Sequence, residues 1–360
     1  MNFEDISQPR NDSTGQGSSI DIPDEVADFI RTICFGYIFP IVSVFGAWAN
    51  LMNMWIYYKH GMSESVNISF LTLAFTDLAG LLCSLWYGIG ISPLLASKTD
   101  LGFDSMDVAF ITGAIPRLSF TKVTCWITVY ISLERCFCIV APLHVKTLIT
   151  PRTTILILTA LHTIGVLTGF PVLYLGVLYL YWKTDPVHNR TFLALGYRED
   201  YFSVNSVATP VIFTIFLASF LILIVSTISL TAALQRKSKW RRNTSKSMAV
   251  TTNNLSRRDT TLSKTIIILS AVLIMCYLPY MVNTVLSAVI DGFALHGKYN
   301  NFFEVMWTFS WLFETLNSTT SIFIYYNMST KYKETFRGMI PSFHCTLLKT
   351  WKHRCHSNFQ

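Results

Sequence analysis

A chain of 360 residues that is 51% hydrophobic and only 14% charged is not a soluble protein, because soluble domains carry about 25% charged residues. Its net charge of +7 does not describe a nucleic-acid binder. The basic residues gather in one loop and one tail, the pattern of a chain that meets a membrane surface.

The first 30 residues hold seven acids, from Glu4 to Asp28, and one Arg. They read as a polar, disordered tail. They lack a basic start and an apolar stretch, so no cleaved signal peptide is expected. Asn11-Asp-Ser13 is a glycosylation sequon in this tail. Seven apolar runs follow, near 32–57, 66–91, 107–139, 153–180, 203–233, 263–290 and 301–326. Each is long enough to cross a bilayer, which takes about 20 residues. Stretches such as Thr265-Ile-Ile-Ile-Leu-Ser-Ala-Val-Leu-Ile-Met275 do not alternate apolar and polar, so they are helices rather than barrel strands. The predicted fold is an all-α membrane protein: a tail at 1–30, a seven-helix bundle at 31–327, and a short amphipathic eighth helix with a basic tail at 328–360.

The loop 234–264 holds nine Lys and Arg, and the tail after 326 holds six more. Basic loops stay in the cytosol. The N-terminus is therefore expected outside a plasma membrane and the C-terminus inside, consistent with seven crossings. A second sequon, Asn189-Arg-Thr191, falls in the outer loop at about 181–203. Those at Asn67, Asn243, Asn254, Asn317 and Asn327 fall in helices or on the inner side. Cys345 and Cys355 in the basic tail are candidate palmitoylation sites. No disulfide is expected, because the outer loops contain no cysteine.

Polar residues inside the helices mark function. Helix three places Arg117 eighteen residues before Arg135. That is five turns, about 27 Å apart on one face at 1.5 Å per residue. Glu314 in helix seven is its expected partner, because it shares a face with Ser321 and Tyr325. Lys122 points about 140° away from Arg117, toward helix four or five, and has no obvious partner. Trp307, Trp311, Tyr277 and Tyr280 are candidate pocket aromatics. At the inner end Glu134 and Arg135 are adjacent charges. Asp259, at the start of helix six, is expected to reach Arg135 across the cytosolic face. No metal-ligand cluster and no nucleophile–base set appears, so an enzyme is not expected.

Several motifs, in order, carry a resemblance. Gly46 and Asn50 lie in helix one, and Leu73-Ala-Phe-Thr-Asp77 in helix two. Glu134-Arg135-Cys136 with Pro142-Leu143 closes helix three. Pro171 lies in helix four, Pro210 in helix five, and Cys276-Tyr-Leu-Pro279 in helix six. Helix seven has Asn317-Ser318 and Ser321-Ile-Phe-Ile-Tyr325, followed by Lys331-Tyr-Lys-Glu-Thr-Phe336. The chain resembles the rhodopsin-like G-protein-coupled receptors over roughly 30–340. Pro142-Leu-His-Val-Lys-Thr-Leu-Ile-Thr-Pro151 is similar to invertebrate neuropeptide and orphan chemosensory receptors.

The resemblance implies a receptor that binds an extracellular ligand and activates a heterotrimeric G protein, with arrestin as a further partner. It implies switch residues at Glu134, Arg135, Pro142, Asp259, Pro279 and Tyr325. It implies an allosteric sodium ion at Asp77 with Thr124, Asn317, Ser318 and Ser321, oxygen ligands that suit a hard cation. It implies a ligand pocket, here assigned to Arg117, Thr121, Tyr277, Tyr280, Trp311 and Glu314, that takes a peptide or a carboxylate-bearing small molecule. The alternatives are a chemosensory receptor and, in another class, a seven-helix transporter or channel. Departures are also plain. Tyr277 stands for the usual helix-six Trp, Ser321-Ile322 for Asn-Pro, His162 for the helix-four Trp, and Ala218 for the helix-five Tyr. The usual disulfide from helix three to the second outer loop is missing, so that loop is expected to be looser.

Overall fold

The computed structural model describes residues 22–92, 95, 101–141, 148–174, 178–185, 190–197, 201–244, 250–294 and 297–339. Asn11, Pro142, Asn189, Cys345 and Cys355 lie outside these residues. The helices are α1 (Asp24–His60), α2 (Ser65–Ile91), α3 (Ser105–Val140), α4 (Pro151–Tyr174), α5 (Tyr201–Thr244), α6 (Val250–Val289) and α7 (Asn300–Met328). A short α8 covers 330–339. Strands β1 (Leu178–Asp185) and β2 (Arg190–Tyr197) form an antiparallel hairpin between α4 and α5. "Upper" below means the end of the bundle where α1 begins and the hairpin sits.

Among the described residues, α1, α2, α3, α5 and α6 each contain a stretch long and apolar enough to cross a membrane. Large apolar side chains such as Trp55, Leu156, Val225 and Met275 are exposed on the bundle's outside, the surface that lipid tails cover in place of water. Helix α7 is more polar because its inner face carries the buried Ser310, Glu314, Thr315, Thr319 and Ser321. Hydroxyls in the spans fold back on their own helix. Thr72, Thr76, Ser84 and Thr128 each donate to the carbonyl four residues earlier, which satisfies a polar group where no water is at hand.

Close approach of the helices depends on small residues. A Cβ on Gly46 would stand 2.5 Å from Thr319 Oγ1, and one on Gly165 would stand 2.1 Å from a Val123 methyl. These two glycines let α1 meet α7 and α4 meet α3. Helices α1 and α3 each contain a π-turn, Cys34–Ile38 and Phe110–Ala114, and each π-turn is followed by a proline, Pro40 or Pro116. A proline lacks the backbone donor that would continue the regular ladder.

The structure differs from the sequence reading at four boundaries. Helix α1 begins at Asp24 rather than near 32. Helix α4 ends at Tyr174 because the apolar residues that follow form β1. Helices α5 and α6 run on to Thr244 and from Val250, so most of the basic loop is helical. Lys and Arg are good helix formers in water, and hydropathy does not register a helix once it leaves the membrane.

The expected looseness of the upper loop is also corrected. Leu193 N donates to Gly102 O at 2.9 Å, and Asp104 N donates to Leu193 O at 2.8 Å. This extends the hairpin onto the segment before α3 through a bridge at Phe103 and Leu193. Asp104 caps α3, accepting from Met106 N and Asp107 N, as an N-cap acid does. Asp107 then turns its carboxylate upward and accepts from Leu195 N at 2.9 Å. Phe192, Ala194 and Leu195 are buried beneath. A charge-assisted hydrogen bond contributes about 1.5–3 kcal/mol, so these three bonds and an apolar contact hold the loop without sulfur.

Asp107→Ala is expected to accelerate amide hydrogen exchange at Leu193 and Leu195 in the purified protein. A membrane-impermeant reductant is expected to leave the same amides unchanged. Equal protection in the variant would show that the carboxylate does not hold the hairpin.

Candidate functional site

Three polar clusters lie along the bundle axis. The upper one centres on Arg117, held on α3 just below the π-turn and 3% exposed. Arg117 Nη2 stands 3.1 Å from Glu314 Oε2 on α7. The expected partner is therefore the partner found. The guanidinium also donates through Nε to Ser84 Oγ on α2 at 2.7 Å, and through Nη2 to Trp311 O at 3.1 Å. Its carbon lies 4.6 Å from the centre of the Trp311 ring, a cation–π contact that desolvation strengthens to about 2 kcal/mol. Glu314 Oε2 accepts a further bond from Thr121 Oγ1 at 3.2 Å. Tyr277 OH donates to Thr121 O at 3.3 Å, and Tyr280 packs edge-on to Trp307 at 5.2 Å between ring centres. Arg117, Thr121, Tyr277, Trp311 and Glu314 thus form one cluster, with Tyr280 joined to it through the aromatic face of α6.

The cluster is incompletely satisfied. Arg117 Nη1, Glu314 Oε1, the indole N–H groups of Trp307 and Trp311, and both amide atoms of Asn283 are buried without a partner among the described residues. Buried polar groups are normally paired, so this many open donors and acceptors mark a place built to meet something else.

The middle cluster centres on Asp77 in α2. Thr124 Oγ1 donates to Asp77 Oδ1 at 2.9 Å, and Ser318 Oγ donates to the same oxygen at 3.1 Å. Ser321 does not reach Asp77; it accepts from Asn53 Nδ2 at 3.0 Å. Asn317 makes no bond to Asp77 either, and its carbonyl accepts from Thr320. The sequence-derived set is thus corrected to Asp77, Thr124 and Ser318. Asn53, one turn beyond Asn50, draws Ser321 away. A cavity of about 20 Å³ is lined by Asp77, Thr124 and Ser318 below and by Arg117, Thr121 and Glu314 above. That is room for roughly one water or a small ion. The middle and upper clusters therefore share one space.

A line of hydrogen bonds leaves Asp77 downward. Asn50 donates to Ser318 O at 2.7 Å, and Asn53 donates to Asn50 Oδ1 at 3.3 Å. Tyr332 of α8 donates its hydroxyl to Asn53 Oδ1. Tyr325 is 1% exposed and packs among Tyr57, Phe70 and Tyr332 at 5.1–5.7 Å. Burial pushes the Tyr332 phenol well above its usual range, so it stays a donor at any physiological pH. Sequence reasoning missed Ser84, Asn53, Asp107 and Tyr332. Asn53 had a readable signal, because it lies three residues after Asn50 on the same side of α1; Tyr332 had none, because it sits on α8, past the extended Ser329 that ends α7.

The lower cluster is Glu134 and Arg135, 2% and 8% exposed. The two pair with each other, which answers why adjacent charges are tolerated there. The expected contact from Arg135 to Asp259 is not made. Asp259 is exposed, and the neighbouring Arg258 reaches Glu64 instead. The physical reason is local: Glu134 already neutralises the guanidinium from one residue away, so Arg135 does not need to cross to α6. Pro279 lies inside α6, where its missing donor permits a bend.

Among the described residues, seven long helices surround a buried charged axis, with a second charged pair at the foot of α3. The chain matches the 7 transmembrane receptor (rhodopsin family) profile over residues 49–325, well over half its length, and belongs to that family. It is a family of receptors and not of enzymes. No individual curated protein matches the chain.

Removing one member of a buried ion pair costs about 3–5 kcal/mol. Arg117→Ala and Glu314→Ala are each expected to lower the thermal midpoint of the receptor in lipid nanodiscs by several degrees. The double variant Arg117→Met with Glu314→Leu should lose less than the two single changes combined. Additive losses would show that the pair is not coupled.

Proposed function

We propose that this receptor binds an extracellular peptide or carboxylate-bearing small molecule in its upper cluster and activates a heterotrimeric G protein through its lower face. The observation that carries the ligand assignment is the Arg117–Glu314 pair, buried at pocket depth with open donor and acceptor atoms beside it. An acidic group or a carbonyl on the agonist competes with Glu314 for Arg117 and loosens α3 from α7. The agonist then prefers one of two states, which any ligand-driven shift requires. A cationic amine is disfavoured, because it would meet a guanidinium.

Positive charge in the basic loop and tail supports placing the upper end outside the cell and the lower end in the cytosol. Glycans at Asn11 and Asn189, acylation at Cys345 and Cys355, and a later arrestin contact belong to the same reading. Glu134, Arg135, Pro142, Asp259, Pro279 and Tyr325 are assigned to the switch. The resting restraint on Arg135 is Glu134, with Asp259 left free to meet a partner.

Sodium is assigned to Asp77, Thr124 and Ser318. The residues fit: three hard oxygen ligands face a space of small-ion size. Asp77, Glu314 and Arg117 line that space with two negative charges and one positive, so one monovalent cation balances it. When bound, the ion supplies charge balance only.

The test is agonist-dependent nucleotide exchange on a purified G protein, run beside ion flux in liposomes. Exchange without flux is expected. Flux without exchange would identify a transporter or channel. Glu314→Gln and Glu134→Gln should each raise ligand-free exchange at equal surface expression, whereas Asp259→Asn should not. Sodium should lower ligand-free exchange in the parent protein and not in Asp77→Asn.

A further inference from the structure

The foot of α6 makes a contact that the three clusters do not use. Arg258 Nη2 pairs with Glu64 Oε2, on the residue that precedes the first turn of α2. Helix α6 packs along α3, α5 and α7. The bond therefore reaches past its packed neighbours to the turn between α1 and α2.

That turn is built as a fixed post. Gly61 ends α1 with φ +92°, a left-handed backbone that glycine adopts without a Cβ clash. Its carbonyl accepts from Asn67 Nδ2 of α2 at 3.0 Å. Asn67 N and Ile68 N donate to Glu64 O at 3.1 and 3.4 Å, which fixes the residue that carries the acid. His60, the last residue of α1, meets Thr335 of α8 at 3.1 Å. The post thus rests on α1, α2 and α8, and none of these bonds involves α6.

Arg258 rides on a helix that can bend. Pro279 stands twenty-one residues further along α6 and removes a backbone bond there. The segment below it is a lever about 31 Å long at 1.5 Å per residue. A bend of about 10° at the proline moves the foot by about 5 Å, more than an ion pair can follow. Any widening of the lower face between α6 and the turn therefore breaks this bond.

We propose that Glu64 and Arg258 form the resting latch of the lower face: the pair holds α6 to the α1–α2 turn, and the face opens to a G protein when it parts. The inference rests on the receptor reading and adds to it the residues that set ligand-free activity. The latch restrains α6 from the α1–α2 side, in a chain whose Arg135 is held by Glu134 rather than by Asp259. It is a light restraint. Arg258 is 50% exposed and Glu64 42%, and an exposed ion pair shifts an equilibrium by up to about fivefold. Salt weakens it further.

The experiment uses the full chain in nanodiscs, with genetically encoded spin labels at Met62 in the turn and Lys264 on α6, both exposed. Unlabelled protein is assayed in parallel for ligand-free nucleotide exchange on a purified G protein. The labelled parent should show one short separation. Glu64→Arg and Arg258→Glu each set like charges across the gap. Each should add a longer separation and raise exchange by about two- to fivefold. The double reversal, Glu64→Arg with Arg258→Glu, should restore both readings, which a merely structural role would not do. Raising sodium chloride from about 0.05 to 0.5 M should lengthen the separation in the parent and not in Glu64→Gln with Arg258→Gln. The proposal is overturned if both single variants keep the parental separation, if the double reversal stays open, if salt acts equally on the parent and the neutral pair, or if the separation lengthens while exchange holds at a measurable parental rate. A latch that opens and closes as expected in a protein with no exchange in any variant would support this pair and strike the receptor reading.

Discussion

A charge inside a lipid bilayer has to be neutralised by the protein itself, and the pairing of Arg117 with Glu314 is where this chain meets that demand. The pair joins α3 to α7 and, through Ser84, to α2. Three helices are thus tied at one depth by a contact that hydrophobic packing could not specify. Lipid tails are as apolar as leucine, so apolar burial alone gives helices little reason to choose a neighbour. The polar axis supplies that choice, and the glycines at 46 and 165 allow the backbones to come close enough to use it.

Below the pair, the axis continues as a hydrogen-bonded line from Asp77 to α8. Each step has a donor and an acceptor on different helices: Ser318 to Asp77, Asn50 to Ser318, Asn53 to Ser321, and Tyr332 to Asn53. The family proline of helix seven is absent, and the amide of Asn53 and the phenol of Tyr332 take up positions around the serine that stands in that region. A shift of the Asp77 side chain therefore meets hydrogen bonds that lead to α8. Cooperative polarisation of such a line in a low-dielectric interior favours its moving as a unit.

The bundle was legible because bilayer thickness imposes a length on every spanning helix, and the seven runs stand out against a polar background. Arg117 and Glu314 were legible as partners because helical geometry puts both on inward faces. The hairpin was not. Leu178 to Leu180 read as the end of a helix because hydropathy counts apolar residues and ignores the tyrosines that alternate through β1. The grip of Asp107 on Leu195 depends on a side chain meeting a backbone amide 88 residues away, and no local pattern encodes such a meeting. Arg135 failed in a different way. The expectation looked across to α6, but Glu134 was nearer by a whole helix.

The docking of the hairpin has a consequence for how the molecule is made. A cysteine bridge across the mouth of the bundle would have to be installed once, by an oxidant, and would then be permanent. Hydrogen bonds from Gly102, Asp104 and Asp107 form as soon as α3 and β2 meet and come apart by thermal motion alone. Biogenesis of this mouth needs no redox machinery, and a misdocked hairpin corrects itself by letting go and trying again. In the finished protein the same reversibility makes the mouth a door on a catch rather than a riveted plate.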